Sequence, residues 1–375
     1  MILLVSVSAR MLAELATQEG HNVIAADRFG DLDLQRLCPS VSIMRDGGMA
    51  ELVEAAERVP AERVIYGAGL ENRPDLVARL AAGRTLLGCA PETLRRVRDP
   101  ALLGASLRAA GHAYPRTLPG HEAPERAGRN TRWLRKPIRG GGGRGVREWR
   151  GGRPRGDVIV QERISGLPCS AAAVADGRSA VLLGVSEQLI GRRALGVRGW
   201  RWCGNVVPPR LPAPEQRALA DAAAAICAHL AAAFGLRGVF GVDLVWDGAQ
   251  PWVVEVNPRP VASLETIDAA HGVRSFAAHL EACAGRLPAE GRRPSAAAGK
   301  AVLFATEDLR VPDTRDWPAR GIRDVPHPGE PIAAGRPICT LVATGRDPAA
   351  VLAELEARAG ALRGELHEVG ADAVV

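Results

Sequence analysis

Two acidic side chains lie inside apolar runs, Asp243 in Val242-Asp243-Leu244-Val245 and Glu255 in Val253-Val254-Glu255-Val256. A carboxylate buried in a strand is costly unless something positive meets it. Asn257 follows Glu255 by two residues, and Arg259 follows Asn257 by two. Two carboxylates and an amide oxygen form an all-oxygen set suited to Mg²⁺, which takes few protein ligands and completes its shell with phosphate oxygens. Arg259 brings a planar fork for an anion to the same space. The competing reading is a structural network in which both acids pair with arginines. Taken alone, this stretch supports a metal–anion site and nothing finer.

Other stretches carry matching chemistry. Lys136 stands just ahead of Gly140, Gly141, Gly142 and Gly143. Glycine backbone can approach oxyanions without interference from a Cβ, and an ammonium beside it suits phosphate. A flexible solvent loop is the alternative; no Gly-Lys-Ser/Thr follows, so this is not a Walker A loop. All but two of the 48 basic residues are arginine, the exceptions being Lys136 and Lys300. In such a background a lysine suggests a need for a compact ammonium. Gln161, Glu162 and Ile164 lie where an apolar strand (158–166) leaves into an extended linker, whose backbone can hold adenine as a strand edge holds another strand. Residues 188–209 read as a long loop carrying Arg192, Arg193, Arg198, Trp200, Arg201, Trp202 and Asn205. Long loops are often functional, and arginines beside tryptophans suit a carboxylate substrate with an aromatic part. Arg201 and Asn205 are the substrate candidates there; a solvated basic loop anchored by two tryptophans is the alternative.

These residues need a frame. Residues 1 to about 90 alternate strands (2–7, 23–26, 63–66, 85–87) with helices (10–18, 49–58, 74–82), which predicts a small parallel, doubly wound sheet. Asp27 stands where a dinucleotide fold keeps its ribose acid, but the first turn, Ser6-Val7-Ser8-Ala9-Arg10, has no glycine fingerprint. Asp27 is therefore expected to cap a loop. Helices are expected over 91–97 and 101–110, strand-like backbone from 111–115, and a strand over 133–138. A hairpin should turn at Asp176-Gly177, and the Asp243/Glu255 strands at Asp247-Gly248. Helices should cover 215–230, 276–284 and 348–360. Residues 328–332 and 335–342 read as a hairpin-like unit.

Composition sets limits. Apolar residues make up 47% and charged residues 24% of 375 residues, enough for sizeable cores in two or three domains. Net charge is +6, which suits anionic ligands. Aromatics are only 4% and no basic run is interleaved with them, which argues against nucleic acid. Seven cysteines form no CxxC pair and read as free thiols of a reducing compartment. The Ala-rich run 219–236 carries Asp221 and His229 and reads as a packed helix, so a soluble cytoplasmic protein without a membrane partner is expected.

A lysine with a glycine loop, a Gln-Glu linker, and Asp243 with Glu255-x-Asn257-x-Arg259 stand in fixed order. This ordered set resembles the ATP-grasp superfamily, most specifically over residues 90–265. The resemblance implies an α/β and α+β chain with the ATP-grasp fold. Its parts would be a Rossmann-like leading domain (1–92), a small lobe with the glycine flap (93–160), a core lobe with the metal site (161–292) and a small β-rich tail domain (293–375). It implies ATP and Mg²⁺ or Mn²⁺. Lys136 and Gly140 to Gly143 would meet the phosphates, and Gln161, Glu162 and Ile164 the adenine. Asp243, Glu255 and Asn257 would hold the metal, and Arg259 would stabilise charge on the transferred group. The layout is similar to carboligases related to biotin carboxylase, and within them to the tyramine–glutamate ligase type of methanofuran-like coenzyme synthesis. The implied activity is ATP-dependent joining of a small carboxylic acid to an amine through an acyl phosphate, in a chain that could form a homodimer. An ATP-binding regulatory module and a bicarbonate-dependent carboxylase are the alternatives. Many family members carry an Asp-Lys pair at the start of the small lobe. Here that place reads Asp99-Pro100, which leaves Arg98 as the candidate for the missing charge. The tail has no Met-Lys-Met biotin-attachment motif.

Overall fold

Strand β1 (Ile2–Val5) is buried along its whole length, as a parallel strand covered on both faces must be. It is the centre of a five-stranded parallel sheet. The unit continues through α1 (Arg10–Gln18), β2 (Val23–Asp27), α2 (Leu32–Leu37), β3 (Ser40–Ser42), α3 (Met49–Glu57), β4 (Arg63–Tyr66), α4 (Pro74–Ala81) and β5 (Thr85–Leu86). The strand order is β3-β2-β1-β4-β5, the doubly wound arrangement expected of the leading residues. The computed structural model describes residues 1–42, 47–123, 131–289 and 294–372. Asp27 does cap a loop: its carboxylate accepts the N–H groups of Ala9, Phe29 and Gly30 at 2.8–3.3 Å.

Next come α5 (Pro91–Val97) and α6 (Pro100–Ala109). Asp99 and Pro100 have a local role. The Asp99 carboxylate accepts the Ala101 and Leu102 N–H groups, and Pro100 occupies the first helical turn. The strand expected from 111–115 begins later. His112 still closes α6 through its N–H to Leu107 O at 2.9 Å, and pairing starts in β6 (Thr117–Pro119). With β7 (Trp133–Pro137), β8 (Arg147–Trp149) and β9 (Val158–Glu162) it forms a four-stranded sheet, order β6-β9-β7-β8.

The core lobe holds β10 (Leu167–Asp176), β11 (Ala180–Ile190), β12 (Trp202–Val207), α7 (Ala213–Phe234), β13 (Arg237–Trp246), β14 (Pro251–Asn257), α8 (Leu264–His271) and α9 (Ser275–Cys283). The expected 188–209 loop is shorter than read. β11 runs to Ile190, and β12 is a full strand buried over Cys203–Val207. A strand buried on both faces shows no alternation, which is why it was missed. Helix α7 is long and apolar enough to span a membrane by length and composition. It lays Leu219, Ile226, Leu230 and Phe234 against the core cluster that includes Ala171, Ala173 and Val185 of β10 and β11.

The tail adds β15 (Ala297–Phe304), β16 (Leu309–Arg310), β17 (Ile322–Arg323), β18 (Pro331–Ile332), β19 (Pro337–Gly345) and α10 (Pro348–Asp372). Apart from the short β16–β18 pair, it builds no sheet separate from the core lobe among the described residues. One eight-stranded sheet runs β14-β13-β10-β11-β12-β15-β19-β17 through both. The expected hairpin over 328–342 does not form, because β18 pairs with β16 while β19 pairs with β15 and β17. The long ladder with β15 buries Ile338, Leu341 and Ala343, which a two-residue partner could not do. Helix α10 continues past residue 360 and covers this part of the sheet with Val351, Leu355, Ala359, Leu362 and Leu366 at helical spacing.

His279 of α9 ties the leading unit to the core lobe. Val239 N–H donates to its Nδ1 at 2.9 Å, so Nε2 carries the proton and donates to Leu87 O at 3.2 Å. Burial pushes its pKa from 6.5 down to about 4. Below pH 6.5 the unfolded chain binds a proton that the folded chain refuses. The stability that His279 contributes above pH 6.5 should therefore fall by about 3 kcal/mol on reaching pH 4, against an opposite change from the buried carboxyls of Asp27, Asp243 and Asp268, whose pKa values burial raises. The stability difference between wild type and His279→Gln, measured by urea unfolding at pH 7 and at pH 4, should narrow by that amount at the lower pH.

Candidate active site

Strands β13 and β14 pair so that Asp243 lies directly opposite Glu255 and Gly241 opposite Asn257. Both carboxylates therefore reach one face of the hairpin. The Asp243 carboxylate accepts from Ser170 Oγ (3.1 Å) and Gln188 Nε2 (2.9 Å) on one oxygen and from Asn257 Nδ2 (3.2 Å) on the other. Burial, followed by the charge of Glu255, pushes its pKa up to about 6. For Glu255 burial works against ionisation too, but Arg98 and Lys136 outweigh it and hold the carboxyl below its usual range.

Each cation near this pair comes from a different part of the chain. Arg98, after α5, bonds Glu255, and its other bonds go to Asn72 Oδ1 (2.7 Å), Val256 O (3.2 Å) and Ile138 O (3.2 Å). Lys136 of β7 donates to Gln161 Oε1 (3.0 Å) and Val254 O (3.3 Å), and burial lowers its pKa against the pull of Glu255 and Asp243. Arg259 is anchored by Glu71 of the leading unit at 2.8 Å and reaches Asn257 Oδ1 at 3.4 Å. The ion-pair reading of the two acids is thus partly realised at Glu255, whereas Asp243 has only neutral donors.

The glycine run lies between β7 and β8, folded over the core lobe. Trp202 N–H donates to Gly142 O (3.1 Å) and Asn72 Nδ2 to Gly140 O (3.4 Å). Gly143 has φ +72°, and a Cβ there would collide with the Trp200 carbonyl. Beneath it is a cavity of about 720 Å³. Lys136, Gly140, Gly141, Gly142, Gly143, Gln161, Glu162, Ile164, Asp243, Glu255, Asn257, Arg259 and Asn205 all line it. Leu134, Ile159, Leu244 and Val256 give it apolar wall. Arg201 is outside this lining; its guanidinium stacks 4.9 Å over the Phe304 ring, and burial, with Arg144 and Arg336, lowers its pKa.

The donor set fits a hard divalent cation. Asp243 is a partly buried carboxylate short of positive charge, it faces a second carboxylate, and all the donors are oxygens. Among the described residues no three His, Cys, Asp or Glu side chains cluster as a complete protein cage, so such an ion would need oxygens from a ligand. Sequence reasoning missed Glu71, Asn72, Ser170 and Gln188. Glu71 and Asn72 follow β4, and loops at the carboxyl ends of parallel strands are where such sheets bind ligands, a usable signal. Ser170 and Gln188 lie within strands and gave none.

A family model described as ATP-grasp domain matches residues 99–263. Comparison of the sequence with curated proteins finds no significant match. Solved structures share the fold over nearly the whole chain. The biotin carboxylase domain of Hydrogenobacter thermophilus 2-oxoglutarate carboxylase, a dimer with MgADP and bicarbonate, has a TM-score of 0.68 at 16% identity, covering 92% of this chain and 86% of that one. L-amino acid ligase from Bacillus licheniformis gives 0.69 at 13% identity, covering 94% and 95%. N5-carboxyaminoimidazole ribonucleotide synthetase from Thermotoga maritima gives 0.64 at 15% identity, covering 96% and 97%.

The glycine flap offers a direct check. Gly141 has open space where a Cβ would go, whereas Gly143 has none. Gly143→Ala should unseat the flap and raise the rate of tryptic cleavage at Arg144 roughly tenfold, the effect of about 1.4 kcal/mol on a local opening. Gly141→Ala should leave that rate unchanged.

Proposed function

We propose, from the match of residues 99–263 to an ATP-grasp domain, that the chain is an ATP-dependent ligase joining a small carboxylic acid to an amine. The observation that carries this reading is the convergence of Lys136, the glycine flap, Arg98, Arg259 and the Asp243/Glu255/Asn257 set on one cavity. ATP is the nucleotide. Its phosphates would lie beneath Gly140 to Gly143 against Lys136, with the adenine beside Gln161, Glu162 and Ile164. Asp243, Glu255 and Asn257 would hold Mg²⁺ or Mn²⁺, which when bound neutralises phosphate charge and orients the γ-phosphoryl group.

The substrate carboxylate oxygen attacks the γ-phosphorus and the bond to ADP breaks, leaving an acyl phosphate. The amine nitrogen then attacks the acyl carbon, the C–O bond to phosphate breaks, and the nitrogen's proton leaves with the phosphate. The side chains contribute position and charge rather than covalent chemistry. Arg259, fixed by Glu71, faces the oxyanion that develops on transfer, and Arg98 shields the charge of Glu255. Addition of glutamate in methanofuran-like coenzyme synthesis is the narrower form of this reading. A soluble cytoplasmic enzyme goes with it, and the dimer of the Hydrogenobacter neighbour supports a homodimer. Bicarbonate-dependent carboxylation is the second reading, favoured by the bicarbonate in that neighbour. Phosphate release that requires bicarbonate and no amine would select it.

Glu255→Gln and Arg259→Met should each lower acid- and amine-stimulated ADP release by roughly 10²–10³ while the fold persists, the usual cost of one charge contact on a reacting group. Circular dichroism checks the fold and a coupled ADP assay the rate. An unchanged rate for either variant would remove that residue from the chemistry.

A further inference from the structure

The cavity wall at β12 and the start of α8 holds two polar groups without hydrogen-bond partners among the described residues. Asn205 of β12 is 1% exposed, and its Nδ2 donates to Thr266 Oγ1 at 2.5 Å. Thr266 has one hydroxyl proton, which it gives to Ser263 O at 2.8 Å. Thr266 can therefore only accept from Asn205, and this fixes the amide orientation. The Asn205 Oδ1 is left buried with no hydrogen-bond partner among the described residues. Ser263, 5% exposed, stands at the start of α8 but caps nothing, and its Oγ is also buried and unpaired. Both residues line the cavity. Buried polar atoms are normally satisfied, so two orphans on one cavity wall point to a missing partner.

The surrounding charge indicates which partner. Lys300, opposite Asn205 across β12 and β15, is already committed to Glu265 and to Ala262 O (3.1 Å). Arg10 bonds Glu265 (2.9 Å), Asp324 (3.1 Å) and Glu14 (2.6 Å) and lies 3.9 Å from Asp33; Arg323 bonds Glu14 (3.1 Å). Among the described residues this linked network sets three cations against four carboxyl groups. Each oxygen of Asp33 accepts a backbone N–H, from Val325 and Asp324, while burial and the neighbouring Asp324 push its pKa up. Burial opposes the ionisation of Glu265, but Arg10 and Lys300 hold its pKa down to about 2. An incoming anion would meet an unpaired acceptor and cations already committed to carboxyl groups. A cationic N–H donor would satisfy that acceptor.

We propose that Asn205 Oδ1 and Ser263 Oγ seat the amino group of the nucleophilic substrate, a primary amine bound as its ammonium. This deepens the ligase reading and rests on it: the site would accept an amine where a carboxylase would accept bicarbonate. Before attack the ammonium gives its extra proton to water in the open cleft.

The test uses the full chain saturated with MgADP. Thermal shift and calorimetry follow the twenty L-amino acids, methylamine and butylamine, each beside its N-acetylated form, and bicarbonate. At least one free amine should bind while its acetylated form does not. Ser263→Ala removes a hydroxyl that bonds nothing in the fold and should weaken that binding roughly fivefold; Asn205→Leu should weaken it roughly tenfold or more, as expected for lost hydrogen bonds to a charged group. MgADP affinity should stay within about twofold in both variants, since neither residue belongs to the phosphate end. Binding of no amine, binding unaffected by Ser263→Ala, or competition by bicarbonate for this end would overturn the proposal. Failure of the wild-type chain to bind MgADP would sink the ligase reading instead.

Discussion

Two carboxylates facing each other across a buried strand pair set the terms for the rest of this structure. At the separation of directly opposed side chains, like charges repel strongly when little water intervenes. The β13–β14 register forces that proximity, and no rearrangement of the hairpin relieves it without exposing Val242, Val253 or Val256. Positive charge must come from elsewhere. It arrives from three segments distant in sequence: Arg98 after α5, Lys136 on β7 and Arg259 braced by Glu71. The demand for countercharge thus holds the leading unit, the small lobe and the core lobe around one space. Charge compensation remains incomplete at Asp243, which is why that space suits a cation that travels with a ligand.

The sequence made the periodic parts legible and hid the central ones. The leading α/β unit could be read because each short apolar strand is punctuated by a helix with polar faces. The hairpins at Asp176-Gly177 and Asp247-Gly248 were readable from turn chemistry, and in both the aspartate accepts the N–H groups two and three residues ahead. Strand β12 was not readable, because a strand buried on both faces loses its alternation. That the tail strands join the core-lobe sheet was not readable, because two-residue strands carry no period and membership of a sheet is decided by partners far along the chain. At the site, residue types with a strong chemical bias in ordered spacing stood out. Ser170, Gln188 and Thr266 did not, since neutral polar residues inside strands and helices look the same whether they bind something or merely fill space.

Long-range ion pairing explains how the tail is fixed. Arg10, 1% exposed, starts α1, and its partners include Glu14 of its own helix, Glu265 of α8 and Asp324 beside β17. Asp324 has φ +51°, a backbone state an aspartate rarely adopts, and it is held there by its N–H to Asp33. A buried arginine with several ionic partners contributes little net stability over an apolar replacement, but losing any one partner strands a charge. Such a knot therefore specifies one docking geometry for three units. It gives the far end of the cavity walls as fixed as those of the hairpin end.

The two lysines make the same point from the opposite direction. In a chain where nearly every basic residue is arginine, both face this cavity, Lys300 buried and Lys136 partly so. Lys136 meets a main-chain carbonyl, Val254 O, and one side-chain oxygen, and Lys300 does likewise with Ala262 O and Glu265. Those carbonyls flank the segment that carries Glu255, Asn257 and Arg259. A guanidinium presents its donors in one rigid plane and needs room for it, whereas a tetrahedral ammonium can turn to a carbonyl on one side and a side chain on another. For Lys136 that leaves a third proton directed elsewhere, and the charges of Glu255 and Asp243 oppose the lowering of its pKa by burial. The geometry of the pocket, rather than the sign of the charge, explains why arginine has not replaced lysine here.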